Sequence, residues 1–305
     1  MLHYFLRRLG GAIPTLFIII AGTFFLMRLA PGGPFARERK VPAEVEANLL
    51  RAYHLDEPLW QQFLRYLNGL LHGDFGPSFK YKDFSVAELI FGGFPVSLQL
   101  GGIAIVLALV IGLALGIWAA LRQNTVADYG AMSVSMVGIA VPNFVVAPIL
   151  TLLIGMQLQL LPVGGWGHAS NYVLPVIALC LPQIAAIARL TRASMIEVLS
   201  SNFVRTARAK GLPARVTITR HAIRAAVLPV VSYLGPAVAN IITGSVVVEQ
   251  IFSIPGIGRY FVQGSLNRDY TLVMGVTVFY GALIILCNLI ADLLYGVLDP
   301  KVRYD

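Results

Sequence analysis

Charge is what this sequence has least of. Asp, Glu, Lys and Arg make up 12% of the 305 residues, about half of the roughly 25% found in an ordinary soluble domain. Apolar runs of 18 or more residues fill the gap, each long enough to cross a hydrocarbon core of about 30 Å as a helix. A single water-soluble core cannot hide several such runs, so a soluble fold is excluded. Cysteine is almost as scarce. Cys180 and Cys287 both lie inside apolar runs, where they act as small packing residues and imply neither a disulfide framework nor a metal set. The five histidines are scattered, and no H-E-x-x-H or Cys/His cluster occurs. No G-x-x-x-x-G-K-[ST] supplies a phosphate cradle. G-x-S-x-G is also absent, and Ser245 after Gly244 reads as a helix-packing serine within a span. The spans hold few ionisable groups, Asp292 near the end of the last being the clearest, whereas an ion-coupled carrier places several near the midplane. The chain is therefore expected to bind no cofactor or metal, to catalyse nothing itself, and to be driven by chemistry on another chain.

What is present is an all-α membrane protein. Six spans are expected, at about 10–27, 94–121, 129–154, 172–188, 227–248 and 272–298. Pro142 and Pro148 should interrupt the third and Pro182 the fourth, breaks that membrane helices tolerate where neighbours satisfy the freed backbone groups. The first run lacks small residues at both cleavage positions and exceeds a signal core, so it reads as an uncleaved helix. Lys and Arg set the orientation. The loop at 155–171 has none, while 189–224 has eight, which places the latter in the cytoplasm together with both termini, including Arg7, Arg8, Lys301 and Arg303. Four parts follow: an N-terminal span at 1–30, an external helical region at 31–93, a five-helix core at 94–298 and a cytoplasmic tail at 299–305.

The external region should be folded. Asp56-Glu57-Pro58 starts a helix, and Trp60, Phe63, Leu64, Leu67 and Leu71 then share one face. An earlier helix carries Val45, Leu49 and Ala52, and Ser85-Val86-Ala87-Glu88 forms a capping box leading to the second span. The region reads either as a cap packed on the membrane face or as a docking surface for an external partner.

Two loops stand out. Residues 203–224, FVRTARAKGLPARVTITRHAIR, carry six Lys/Arg and no acid. Ser201 or Asn202 can cap a helix from Phe203, with Phe203, Ala207 and Lys210 on one side. Gly211 ends it, and Pro213 begins another. The pair reads as a topology-fixing or lipid-touching patch, or as a docking element that enters a partner's groove; no other feature supports a nucleic-acid site. In the second loop Span five ends near Glu249. Pro255, Gly256 and Gly258 then prevent a continuous helix while Phe252 and its neighbours keep the loop apolar. It is either a lip of an entry path or a packed re-entrant turn. Arg268 and Asp269 beyond it read as neighbouring surface charges, with an ion pair as the alternative.

Arg205-Thr206-Ala207-Arg208-Ala209-Lys210-Gly211 resembles the cytoplasmic E-A-A-x-x-x-G loop of the inner-membrane subunits of bacterial ABC importers. Arg205 stands where many members have Glu and Thr206 where they have Ala, so a Glu-specific contact is not carried over. Arg224 stands where a Pro often follows. With Arg220-His221-Ala222 the loop is similar to the peptide and nickel branch. So are Arg28-Leu29-Ala30-Pro31-Gly32, Gln123-Asn124-Thr125, the stretch from Glu249 to Gly258, and Asn267-Arg268-Asp269-Tyr270. HGDFGPSFKYKDFSV at 72–86 is similar to oligopeptide permeases in particular, although dipeptide and nickel permeases share the other motifs. The resemblance covers the whole chain and implies the type I ABC importer fold and ATP-driven import of oligopeptides by alternating access. It implies a homologous second permease subunit, two cytoplasmic ATPase subunits that hold ATP and Mg, and a periplasmic oligopeptide-binding protein. The ATPase-coupling loop would be Asn202, Phe203, Arg205, Thr206, Ala207, Arg208, Ala209, Lys210, Gly211 and Leu212. The external lip would be Glu249, Phe252, Pro255, Gly256, Gly258, Arg268 and Asp269. Small, weakly polar residues suited to an unselective peptide path are Ser135, Gly138, Asn143, Asn240, Thr243 and Ser245, each of which also reads as a helix-packing residue.

Overall fold

A computed structural model of the chain describes residues 2–29, 43–81 and 83–298. Pro31, Gly32 and the tail with Lys301 and Arg303 lie outside the described residues. The described residues are helical, with no strand among them. In chain order the helices are α1 (Leu2–Leu29), α2 (Ala43–Ala52), α3 (Leu59–Leu71), α4 (Val86–Leu121) and α5 (Val126–Ala140). Next come α6 (Asn143–Leu150), which continues as a π-helical segment Thr151–Gln157, α7 (Ala169–Leu199) and α8 (Asn202–Ala209). The chain then forms α9 (Ala214–Val216), a π-helical segment Thr217–Ala222, α10 (Ile223–Ala226), α11 (Leu228–Ile251), α12 (Ile257–Leu266) and α13 (Tyr270–Leu298).

Five helices, α1, α4, α7, α11 and α13, are long and apolar enough to cross a membrane, and α5 with α6 and its π-helical extension forms a sixth, broken unit bent by 100°. The third span, expected as one run over 129–154, is thus two helices meeting at a corner. Pro142 cannot donate a backbone hydrogen bond and disfavours helix in the residue before it, and Val141 is extended, at φ −94° and ψ 115°. Pro182 has no such effect. α7 runs unbroken through both Pro175 and Pro182, because α4 packs along it and holds the chain in line. α4 begins at Ser85, whose hydroxyl accepts from Glu88 N (3.2 Å) while Glu88 Oε2 accepts from Ser85 N (2.7 Å), the expected capping box. The helix passes unbroken across residues 93 and 94.

The centre of the molecule is the α4–α7 pair. Leu100, Ala104, Ala108, Gly112, Gly116 and Ala120 recur every fourth residue on α4, and all are buried. A Cβ on Gly112 would lie 2.8 Å from Ile187 Cγ2, and one on Gly116 2.6 Å from Thr191 Cβ. In lipid, where apolar surface gains nothing from leaving water, such close backbone approach is what drives helices together. α5 lies on α7, and α11 packs between α7 and α13. α1 is peripheral, lying on α13 with Ile19 against Gly281.

The apolar face expected on α3 is only partly covered, Phe63 and Leu67 being half-buried. Trp60, Leu64 and Leu71 are exposed, while Gln62 is buried and Tyr66 half-buried on the inner side. Tyr66 packs beside Phe24 and Phe63 against Phe17, Phe24 and Phe25, all on α1. Gln62 accepts from Arg28 Nε at 2.9 Å and donates to Glu57 O at 2.7 Å. The attachment is made by aromatic rings and one amide rather than by the leucine stripe.

Candidate functional site

The basic segment folds as two helical pieces around a bend. Ser201 occupies the N-cap position of α8, but its hydroxyl turns back to donate to Val198 O (2.6 Å), so neither it nor Asn202 supplies the expected side-chain cap. One helical turn faces inward. Val204 packs with Ala120, Met195, Ala222 and Ala226, and Ala207 is buried beside it. Ala207 therefore belongs to the anchoring face, away from Phe203, which is 49% exposed. Asn202, Arg205, Thr206, Arg208, Ala209 and Lys210 also face outward, and so do Gly211 and Leu212. Gly211 takes φ +77°, a left-handed conformation that favours glycine. Its N–H donates to Arg208 O (3.0 Å) and that of Leu212 to Ala207 O (3.3 Å), closing the helix end. Pro213 then caps α9, and the chain runs through the π-helical segment and α10 into α11.

The apolar turn after α11 is packed into the molecule. Phe252, Ile254 and Ile257 are fully buried, and Gly165 N donates to Phe252 O at 2.8 Å. Glu249, also buried, folds back so that its Oε2 accepts from Gly258 N (2.8 Å) at the start of α12, where a carboxylate complements the exposed helix N–H groups. A Cβ on Gly258 would lie 2.9 Å from that oxygen, and one on Gly256 2.6 Å from Ser97 Oγ, which itself accepts from Ile257 N (2.9 Å). Only glycine fits beside the carboxylate. Of the expected lip residues, Pro255 and Arg268 are exposed, whereas Glu249, Phe252, Gly256, Gly258 and Asp269 are buried.

Asp269 corrects the reading of a surface charge. Fully buried, it accepts from Ser78 Oγ (2.5 Å), Lys80 N (3.1 Å) and Thr271 Oγ1 (3.1 Å), and caps α13 by accepting from Leu272 N (3.2 Å). Thr271 Oγ1 also donates to Pro77 O (2.6 Å). The two separately read stretches, 72–86 and 267–270, are the halves of one clamp joining the segment between α3 and α4 to the start of α13.

The six candidate path residues divide. Ser135, Gly138, Asn143 and Ser245 sit between helices. The Ser135 and Ser245 hydroxyls donate to Ala131 O and Ile242 O, and a Cβ on Gly138 would lie 3.1 Å from Leu181 O. Asn143 abuts Gly244. Asn240 and Thr243 remain exposed on one face of α11. Sequence reasoning missed the pair that ties α5 to α7. Arg192 donates from Nε and Nη2 to both oxygens of the buried Asp128, at 2.5 and 2.6 Å. The signal available was Thr125-Val126-Ala127-Asp128, a helix start whose acid has an oxygen to spare for a distant partner. No group of acids, histidines and cysteines able to hold a metal occurs among the described residues.

The sequence matches the family described as binding-protein-dependent transport system inner membrane component over residues 112–304, and the N-terminal membrane component of the same systems over residues 1–101. It is 56% identical over 306 residues to the oligopeptide transport system permease protein OppB of Salmonella typhimurium, covering all of both chains. OppB of Haemophilus influenzae is 54% identical, again over both full lengths. The dipeptide transport system permease protein DppB of Bacillus subtilis is 46% identical over 303 residues, 99% of this chain and 98% of that one.

Proposed function

The chain belongs to the family of binding-protein-dependent transport system inner membrane components, and from that premise we propose how its parts divide the work of import. It is the permease subunit of an oligopeptide ABC importer, a multi-pass protein of the inner membrane. It works with ABC partners and a substrate-binding protein. In our reading a homologous second permease subunit completes the conduit, and two cytoplasmic ATPase subunits hold ATP and Mg and hydrolyse the nucleotide. A periplasmic oligopeptide-binding protein delivers the peptide, and both termini lie in the cytoplasm. Asn240 and Thr243 are the candidates for the path.

One observation supports the coupling assignment. α8 is fastened to the C-terminal ends of α4 and α7 by Val204, with Ala207 buried on the same face, yet leaves Phe203 and a row of polar and basic side chains uncovered. A rigid, short helix with one exposed aromatic suits insertion into a partner's cleft. ATP-driven closure of the ATPases would carry α8 as a body and rock the attached spans, a hinge or shear transition.

Phe203→Ala tests this. Removal of an aromatic anchor costs about 2 kcal/mol, roughly thirtyfold in Kd. Affinity-purified permease carrying it should retain less ATPase and import peptide more slowly. Unchanged recovery and uptake would remove Phe203 from the interface.

A further inference from the structure

α3 has three distinct faces. Gln62, Tyr66 and Gly69 face the protein, Gln62 being buried and the other two half-buried. Gln61, Arg65, Asn68 and His72 form an exposed polar row, and Arg65 pairs with Glu57 at 2.6 Å. Trp60, Leu64, Leu67 and Leu71 make up the third face, with Trp60 61%, Leu64 55% and Leu71 85% exposed. Spacings of three and four keep each row on one side of the helix.

The height of α3 follows from its contacts. The Phe63 ring lies 6.1 Å from that of Phe17, 5.2 Å from Phe24 and 5.4 Å from Phe25. Phe17 precedes the end of α1 at Leu29 by 12 residues, roughly 18 Å at 1.5 Å per residue, against a half-thickness of about 15 Å for the hydrocarbon core. A ring wedged between Phe17 and Phe24 sits within the depth of the apolar stretch of α1, below its end. Phe25, Leu26 and Leu29 on α1 are uncovered as well, and the Phe25 ring is the one that meets Phe63. An apolar face in water at that position would have no cover, whereas a polar row, an apolar row and a tryptophan suit the headgroup boundary.

We propose that α3 is an interfacial helix half-sunk in the lipid, with Trp60, Leu64, Leu67 and Leu71 in the acyl chains and Gln61, Arg65, Asn68 and His72 towards water. Which leaflet receives it rests on the orientation proposed above; its insertion does not. The segment between the first two spans is then held at a fixed depth by lipid as well as by the Asp269 clamp.

The test uses the assembled transporter in lipid nanodiscs, with Trp118→Phe and Trp166→Phe leaving Trp60 as this chain's single tryptophan, and the same complex carrying Trp60→Phe as well supplies the partner emission to be subtracted. Bromines near the headgroup end of the acyl chains should remove most of the Trp60 emission, those near the terminal methyl much less, and aqueous acrylamide little. Quenching by acrylamide with no loss in brominated lipid would overturn the proposal, placing the face in water. Protection from both would overturn it in favour of a protein cover by the second permease subunit or the binding protein. Trp166 packs on Tyr172 at 4.3 Å. Should its replacement prevent assembly, a nitroxide on Leu64→Cys, with Cys180→Ala and Cys287→Ala and the signal of the labelled complex lacking Leu64→Cys subtracted, reads the same outcome. Oxygen should relax it more than a water-soluble paramagnet, and the reverse order would refute insertion. An opposite-leaflet result, read with leaflet-restricted quenchers, would correct the orientation and leave insertion standing.

Discussion

Two buried carboxylates show how single residues fasten the helices of this permease. Glu249 and Asp269 each accept backbone N–H groups at a helix start, α12 and α13 respectively. Asp269 does more, because its other oxygen gathers Ser78 Oγ and Lys80 N from 189 or more residues away. Asp269→Ala should remove the cap, worth about 1 kcal/mol, and strand buried donors at about 1–3 kcal/mol. The thermal midpoint of the purified complex should fall by several degrees. Asp269→Asn keeps an oxygen for Leu272 N but turns an amide NH₂ towards the donors of Ser78 and Lys80, so it should fall between wild type and Ala. Equal midpoints for all three proteins would show that the clamp contributes nothing. Both stretches were recognisable in the sequence as motifs. That they meet was not, because an Arg-Asp pair beside a turn looks like surface charge until its long-range partner is known. The same blindness hid Asp128 and Arg192, which are 64 residues apart.

Among whole elements, size separates faces that polarity does not. α4 is apolar all round, so hydropathy places it in the membrane but says nothing of which side meets α7. The rhythm of Ala104, Ala108, Gly112, Gly116 and Ala120 carries that information through close approach. Gly116→Leu should force α4 and α7 apart, since its Cβ alone would come within 2.6 Å of Thr191 Cβ. Overpacking of this kind costs about 1–3 kcal/mol or more, and the yield of assembled complex on size exclusion should drop sharply. Gly92 on the same helix has nothing within 4 Å of its Cβ position, so Gly92→Ala should assemble normally. Equal yields would deny the stripe its packing function. α3 gives the converse lesson. Its leucine stripe was plain in the sequence, and it left two readings open, a cap packed on the membrane face or a docking surface. A helix beside a membrane has two apolar surroundings to choose from, and periodicity cannot tell protein from lipid. The α5–α6 corner was signalled by Pro142, but Pro182 carries the same sequence signal inside an unbroken α7, because only tertiary packing decides whether a proline bends or breaks a helix.

Over the whole molecule, the decisive feature is that the proposed input and the spans share one small cluster. Val204 of α8 packs with Ala120 from the end of α4, Met195 from α7, and Ala222 and Ala226 from the segment that leads through Val227 into α11. A displacement of α8 is therefore passed to three spans together, while α1 and the segment between α3 and α4 are tied through α13 and the Asp269 clamp. Span composition, family and the helix–glycine–helix outline of the loop were legible in the sequence; this convergence was not, because its members come from four stretches of chain. Gly211 is the point where α8 gives way to the limb that rises into α11. Proline there cannot adopt φ +77° and loses the N–H that Arg208 O accepts. Alanine pays only the left-handed penalty of about 1–2 kcal/mol in open space. Gly211→Pro should leave Val204 and Ala207 seated, so the complex should still assemble and hydrolyse ATP, but peptide uptake in proteoliposomes should be lost. Gly211→Ala should transport at a rate near wild type. Wild-type uptake by Gly211→Pro would show that the geometry of this bend does not transmit the stroke. Failure of both variants to assemble would place Gly211 in folding rather than in coupling. Loss of uptake with hydrolysis intact is the outcome that a conduit powered from outside its own chain requires.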